Sequence, residues 1–158
     1  VLKILMIIEI IYVQYLNTML KYFLLGLNLY FAFSNDSYNY YELAVQKWCS
    51  SSYMIHGLWP QINASDYPEN CLNVSYQQPR GSLLENMELY WHSCDDTLWE
   101  HEWEKHGSCM KQQVGIDETI YFNTALNLFL NNQDLLEECK GDDCTMGCFD
   151  LDYNLITC

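Results

Sequence analysis

Two short segments hold the residue types that do acid–base work. From Thr97 to His106 the chain reads Thr-Leu-Trp-Glu-His-Glu-Trp-Glu-Lys-His. At helical spacing, His101, Glu102, Lys105 and His106 fall within one arc of about 140°. Glu100 and Glu104 fall on the solvent side, and Trp99 and Trp103 form a shoulder that packs inward. A solvated face laced by i,i+4 pairs, Glu102 with His106 and His101 with Lys105, would give the same spacing. The second segment is Tyr53-Met54-Ile55-His56-Gly57-Leu58-Trp59-Pro60. It puts one histidine at the end of an apolar strand, followed by a glycine that allows close backbone approach. Taken alone, His56 could equally be a hydrogen-bonded core residue.

Together the segments are more specific. Two imidazoles with an ordinary pKa of about 6.5 can divide acid and base roles, while a lysine and a third histidine hold a phosphate whose charge grows in the transition state. That set suits in-line attack of a ribose 2′-hydroxyl on its neighbouring phosphodiester, and it requires no metal.

The elements that must position these groups can be read coarsely. Residues 41–48 alternate as a strand, and residues 53–58 form a second. Residues 63–78 read as loop. Ser82 opens an amphipathic helix with Leu83, Leu84, Met87, Tyr90 and Trp91 at helical spacing. Asp95-Asp96-Thr97 offers an N-cap for the histidine-bearing helix, which is expected to stop at Gly107. A third helix is expected over residues 117–130, with Ile116, Ile120, Tyr121, Ala125, Leu128 and Phe129 buried and Asn131-Asn132 interrupting it. Residues 149–156 form a weak strand in a cysteine-dense tail. No repeat or second domain is visible.

The ends and the cysteines bound the setting. Residues 1–33 carry only Lys3, Glu9 and Lys21 as charges. Lys21, the apolar run 22–33 and Ala32-Phe33-Ser34 have the layout of a secretory signal over residues 1–34, too short to span a bilayer. Residues 1–18 would lie upstream of a start at Met19. An uncleaved anchor over residues 2–33 is the alternative. Residues 35–158 then hold five basic and twenty acidic side chains, a net charge of −15. That charge excludes recruitment of duplex DNA by a basic field. In an acidic compartment carboxylates protonate and histidines charge, which weakens repulsion of a polyanion. All eight cysteines, Cys49, Cys71, Cys94, Cys109, Cys139, Cys144, Cys148 and Cys158, lie in this part. Behind a signal they read as a disulfide framework. The sequons at Asn35, Asn63 and Asn73 agree with secretion. Zinc held by Cys139, Cys144 and Cys148 is the weaker alternative, since no histidine is near and no C-x-x-C pair occurs.

Residues 55–60, Ile-His-Gly-Leu-Trp-Pro, and 101–109, His-Glu-Trp-Glu-Lys-His-Gly-Ser-Cys, resemble the two active-site segments of the ribonuclease T2 family of secreted, vacuolar or lysosomal acid ribonucleases. Residues 43–49 resemble the family's first strand. Residues 87–91 and 121–130 resemble the segments on either side of the second motif. The resemblance implies a single disulfide-stapled α+β domain over residues 35–158, an antiparallel sheet packed with helices, incomplete after about residue 130. It covers residues 42–130 well and the tail loosely, as in a compact member or a translation with lost exons.

Carried over by position, the resemblance makes His106 the general base on the 2′-hydroxyl and His56 the general acid for the leaving 5′-oxygen. His101 would hold the phosphate, with Glu102 and Lys105 orienting it and stabilising the pentacoordinate state. Trp59 and Tyr67 match positions that stack the base. Gln61 stands where many relatives have Asp, and His92, where relatives usually have Pro, reads as a structural or surface residue. The implied disulfides are Cys71–Cys109, Cys139–Cys158, Cys144–Cys148 and Cys49–Cys94. The resemblance further implies a monomeric, metal-independent acid endoribonuclease needing no cofactor. It would cleave single-stranded RNA, not DNA, through a 2′,3′-cyclic phosphate to 3′-phosphate ends. It would be secreted or held in a lysosome or vacuole, with no stable membrane span after signal cleavage. Two alternatives stay open: an inactive glycoprotein relative acting as a binding module, and a disulfide-stapled extracellular module whose histidines bind metal.

Overall fold

The computed structural model describes residues 19–21, 37–48, 50–92 and 94–158. The chain divides into two units at residue 36, of which 37–158 is the compact unit described below. In the first, residues 19–21 are helical. The remainder of the expected signal, together with Asn35 and Cys49, lies outside the described residues.

The second unit is built on a four-stranded antiparallel sheet in the order β2-β1-β3-β4. Strand β1 (Tyr40–Gln46) alternates so that Tyr41, Leu43 and Val45 are wholly buried in the core. The opposite face of the same strand carries Glu42 and Gln46, as a period of two requires. Strand β2 (Met54–Gln61) runs three residues past the end expected for it, bringing Trp59, Pro60 and Gln61 into the sheet. Glu42 stands opposite Trp59, and Tyr40 opposite Gln61. Both pairings of β1 slip in register near Ala44. Such bulges re-aim the side chains beyond them.

Helix α1 (Ser82–Tyr90) begins where the apolar spacing places it and buries Met87. The histidine-bearing helix departs from expectation. Helix α2 (Leu98–Glu102) passes into a π-helical turn, Trp103–Gly107, and continues as α3 (Ser108–Val114). Gly107 is not a stop. A Cβ there would lie 2.2 Å from Cε3 of Trp103, so this glycine lets the backbone pass the buried indole. The helix ends instead at Gly115, whose φ of 75° is the left-handed conformation that favours glycine. Helix α4 (Glu118–Asn131) is capped by the Asp117 carboxylate, which accepts from the Ile120 N–H at 2.9 Å. It buries Tyr121, Phe122, Ala125, Leu128 and Phe129, but Ile120 is 47% exposed, against expectation. A 3₁₀ turn, Gln133–Glu138, follows Asn132. The core joins the inner sheet face to Met87, Trp91, Trp103, Met110, Tyr121 and Phe122.

The tail is more structured than its sequence suggests. In place of one strand over residues 149–156 it forms β3 (Asp143–Phe149), paired along β1, then a turn and the short β4 (Leu155–Ile156). This topology corrects two disulfides. Cys144 and Cys148 lie four residues apart on β3, about 13 Å at strand rise, beyond the reach of a bridge. Instead Cys139 pairs with Cys144 and Cys148 with Cys158, at Cα separations of 5.6 and 5.2 Å. The hairpin sets the second pair by placing Cys148 opposite Ile156, two residues before Cys158. These bridges engage all three cysteines of the zinc alternative. Cys71–Cys109 forms as expected. Cys94 is disulfide-bonded, and its expected partner Cys49 lies outside the described residues. Among the described residues no helix is long and apolar enough to cross a membrane.

Candidate active site

The site forms where the outer face of β2 meets α2 and the π turn. His56 is fixed from behind, since the Trp91 indole donates to its carbonyl at 2.8 Å and the Tyr121 hydroxyl donates to the Leu58 carbonyl at 3.2 Å. Gly57 lies under the Glu102 carboxyl, and a Cβ there would be 1.9 Å from Oε2. That absence of a side chain lets Glu102 reach Trp59, whose indole N–H donates to Oε2 at 2.8 Å. Glu102 is 1% exposed.

Trp59 is the hub of the arrangement. The His106 ring stacks on it at 5.3 Å and 29°, and the His56 ring meets it edge-on at 5.1 Å and 73°. His56 reaches the site from a strand and His106 from a helix 50 residues later in the sequence. The π turn buries His106 while leaving Lys105 half-buried beside it. Widened turns of this kind recur at functional sites. Of the arc read from the sequence, Glu102, Lys105 and His106 face the site. His101 is exposed, although its charge acts on both other histidines. Glu100 is exposed and Glu104 half-buried.

The loop bearing Tyr67 is tied to the same helix. The Asn70 N–H donates to the Lys105 carbonyl at 2.8 Å, the Cys71 N–H donates to Ser108 Oγ at 3.1 Å, and Cys71–Cys109 closes the connection. Lys105 Nζ lies 3.4 Å from Glu69 and 5.5 Å from the Tyr67 ring centroid. Trp59, Tyr67, Gln61, Ser65, Lys105 and His106 line a pocket of about 300 Å³, with Glu42 on its wall. Every candidate on this side of the site thus meets in one cavity. Exposed positions elsewhere include His92 and the sequon residues Asn63 and Asn73.

Burial separates the protonation states. It pushes the Glu102 carboxyl up to about 8, against the smaller opposing pulls of the Trp59 hydrogen bond and Lys105. Burial, then Lys105, His101 and His56, push the His106 imidazole down to about 3. Its Nδ1 has no hydrogen-bond partner among the described residues. His56 is also lowered by burial, but Asp143 Oδ1, 3.8 Å from its Nδ1, opposes the shift. Its Nε2 lies 3.9 Å from Glu102 Oε1. In mildly acidic water these groups make a neutral carboxylic acid and a neutral imidazole, beside a second imidazole that burial holds below its ordinary value.

Several neighbours were not singled out in the sequence. Asp143 reaches His56 only because β3 pairs with β1, and Glu42 faces the pocket only because β1 pairs with β2. The period of β1 places Glu42 on the face opposite Tyr41 and Leu43, and that was the available signal. Trp48, 53% exposed and 5.9 Å from the His56 ring, adds an aromatic surface on the far side of that histidine.

Comparison with known proteins places the chain in a family. The sequence model of the Ribonuclease T2 family matches residues 21–139. The chain is 39% identical over 102 residues to the extracellular ribonuclease LE of Solanum lycopersicum, covering 60% of this chain and 44% of that protein. It is 28% identical over 125 residues to ribonuclease S-6 of Pyrus pyrifolia, covering 66% and 55%. The chain therefore spans about half the length of these curated relatives. Two solved structures share its α+β fold. The self-incompatibility-associated SF11-RNase of Nicotiana alata aligns with a TM-score of 0.53 and 24% identity, over 63% of this chain and 60% of that one. Trichomaglin, described as an S-like ribonuclease, aligns with a TM-score of 0.57 and 20% identity, over 77% and 91%. Both histidine segments fall inside the family match, which takes in most of the sequence, and the chain belongs to the ribonuclease T2 family.

Proposed function

We propose that this protein is a metal-independent acid endoribonuclease that cleaves single-stranded RNA by transphosphorylation. The observation that carries the reading is the meeting of His56 and His106 on one indole, Trp59, beside the buried carboxyl of Glu102.

The chemistry follows from the protonation states. Neutral His106 takes the proton of a ribose 2′-hydroxyl as its oxygen attacks the adjacent phosphorus. The bond from phosphorus to the 5′-oxygen breaks, and protonated His56 gives its proton to that oxygen. The product is a 2′,3′-cyclic phosphate. With the roles reversed, His56 takes a proton from water and His106 returns one to the 2′-oxygen, leaving a 3′-phosphate. Charge on the pentacoordinate phosphorane is met by Lys105 and by the protonated Glu102, which donates a hydrogen bond without adding negative charge. His101, exposed at the helix edge, is the further cation for the phosphate. A base enters the pocket between Trp59 and Tyr67. Because His56 must carry its proton and burial lowers its pKa, the reaction favours acid. The sequons at Asn63 and Asn73 are exposed, in keeping with a secreted or lysosomal glycoprotein.

An RNA oligonucleotide with one ribose replaced by 2′-deoxyribose tests the reaction type. In excess EDTA, a linkage that is cut in the all-ribose oligonucleotide is expected to survive when the ribose before it is replaced by deoxyribose, while other cut linkages are still cleaved. Cleavage at the linkage after the deoxyribose, or loss of all cleavage in EDTA, would overturn the mechanism. A folded protein that binds the RNA uncut would instead identify a binding module.

A further inference from the structure

The pocket between Trp59 and Tyr67 is not apolar throughout. Its wall includes Glu42, which stands opposite Trp59 in the β1–β2 register, and Gln61, two residues further along β2. Thr145 on β3 donates a hydrogen bond from its hydroxyl to Glu42 Oε1, so the carboxylate is held from the strand behind it. Lys105 and His106 line the same cavity, and the His106 ring lies 5.3 Å from Trp59 and 6.0 Å from Tyr67. A base seated here therefore belongs to the nucleoside whose 2′-hydroxyl faces His106.

We infer that Glu42 is a base-specificity determinant, and that the Glu42 carboxylate on the wall of the Trp59–Tyr67 pocket selects guanine on the 5′ side of the cleaved bond. The inference rests on the ribonuclease reading and names the substrate class of that site. Guanine alone presents two adjacent donors, N1–H and the 2-amino group, on its Watson–Crick edge, which a carboxylate accepts side by side. Thr145 leaves Oε2 and one lone pair of Oε1 for that purpose. Adenine and cytosine offer one amino group beside an acceptor nitrogen, which a carboxylate repels, and uracil offers a single N–H between two carbonyls. The Gln61 amide can donate to the guanine 6-oxo group, a role that an acidic residue could not fill. Trp59 and Tyr67 hold the ring by its faces, which serves any base.

The test compares GpU, ApU, CpU and UpU as cleavage substrates, with binding of the four 3′-nucleoside monophosphates measured in parallel by calorimetry. A good two-point contact predicts a preference for GpU, and for 3′-GMP, of about 10- to 100-fold over the others. Glu42→Gln keeps an acceptor for Thr145 but places an amide donor against the guanine donors. The preference should then fall to about threefold or less. Unchanged melting of the variant shows that the sheet is intact. Equal handling of the four bases by the wild type would overturn the inference, as would a preference that survives Glu42→Gln. If no dinucleotide is cut, the ribonuclease reading fails, and the 3′-GMP comparison still decides the role of Glu42.

Discussion

Gly57→Ala is the smallest change that separates the catalytic geometry from the chemistry of its groups. The new methyl would lie 1.9 Å from Glu102 Oε2, 2.4 Å from Trp59 Nε1 and 2.7 Å from Glu102 Cδ. Carbon and oxygen come no closer than roughly 3.2 Å without strain, so either the carboxyl or the strand must shift by more than about 1 Å. Glu102 is buried on all sides, and its simplest displacement breaks the hydrogen bond from the Trp59 indole. Leaving a buried donor unsatisfied costs about 1–3 kcal/mol, and an ångström of misplacement at a reacting centre costs about a hundredfold in rate. Under the proposed mechanism, cleavage of an RNA dinucleotide at mildly acidic pH should therefore fall by about two orders of magnitude. The melt should drop by about 5–10 °C, since one kcal/mol shifts Tm by several degrees in a domain of this size. The two histidines of the proposed acid–base pair keep their side chains, so the pH dependence of the residual activity should keep its shape. Activity within a few-fold of wild type, with an unchanged melt, would refute the idea that Gly57 exists to admit Glu102.

Other consequences are equally direct. The raised pKa of Glu102 means that the folded state holds a proton which the unfolded chain loses above about 4.5. Its stabilising share is therefore complete below that pH and is lost as pH rises toward 8. Glu102→Gln should cancel most of this loss, making the variant more stable than wild type near pH 8 by the order of a few kcal/mol in urea unfolding, while cleavage falls. His106 works in the opposite sense, because its depressed pKa gives stability that is present above 6.5 and lost as pH falls toward 3. Asp143→Asn removes the charge that holds His56 up, so the alkaline limb of the pH–rate profile should move to lower pH. The shift should shrink in high salt, because Asp143 is well exposed. Among the bridges, loss of Cys71–Cys109, which spans 38 residues, should cost about 4 kcal/mol, against about 2 kcal/mol for Cys139–Cys144, which spans five. Chemical denaturation of the paired Ser variants measures the difference.

Local chemistry was legible in the sequence, and chemistry that depends on strand pairing was not. The nearness of Glu102, Lys105 and His106 followed from helical spacing, and the close approach at Gly57 followed from a glycine set after a strand histidine. The π turn, and the close passage of Gly107 by the Trp103 ring within it, were invisible because no periodicity encodes them. Asp143 and Glu42 are brought to the site by the pairing of β1 with β3 and with β2, and register is a nonlocal property. The same gap misled the disulfide expectations in the tail. Spacing offered no sign that Cys144 and Cys148 share a strand and must each bridge outward. The fold class itself was what the family resemblance of the two histidine motifs implied; the first lies on the expected strand, and the second on a helix that runs on past its expected stop at Gly107.

The central claim is that His56 and His106 form an acid–base pair acting through a cyclic phosphate. The most direct measurement follows the cleavage of a ribodinucleotide by ³¹P NMR in EDTA, for the wild type, His56→Ala and His106→Ala. The account predicts a 2′,3′-cyclic phosphate signal that rises first and then gives way to a 3′-phosphate, with each variant slower by about 10²–10⁴-fold. A 5′-phosphate product, or an undiminished rate in either variant, would contradict it.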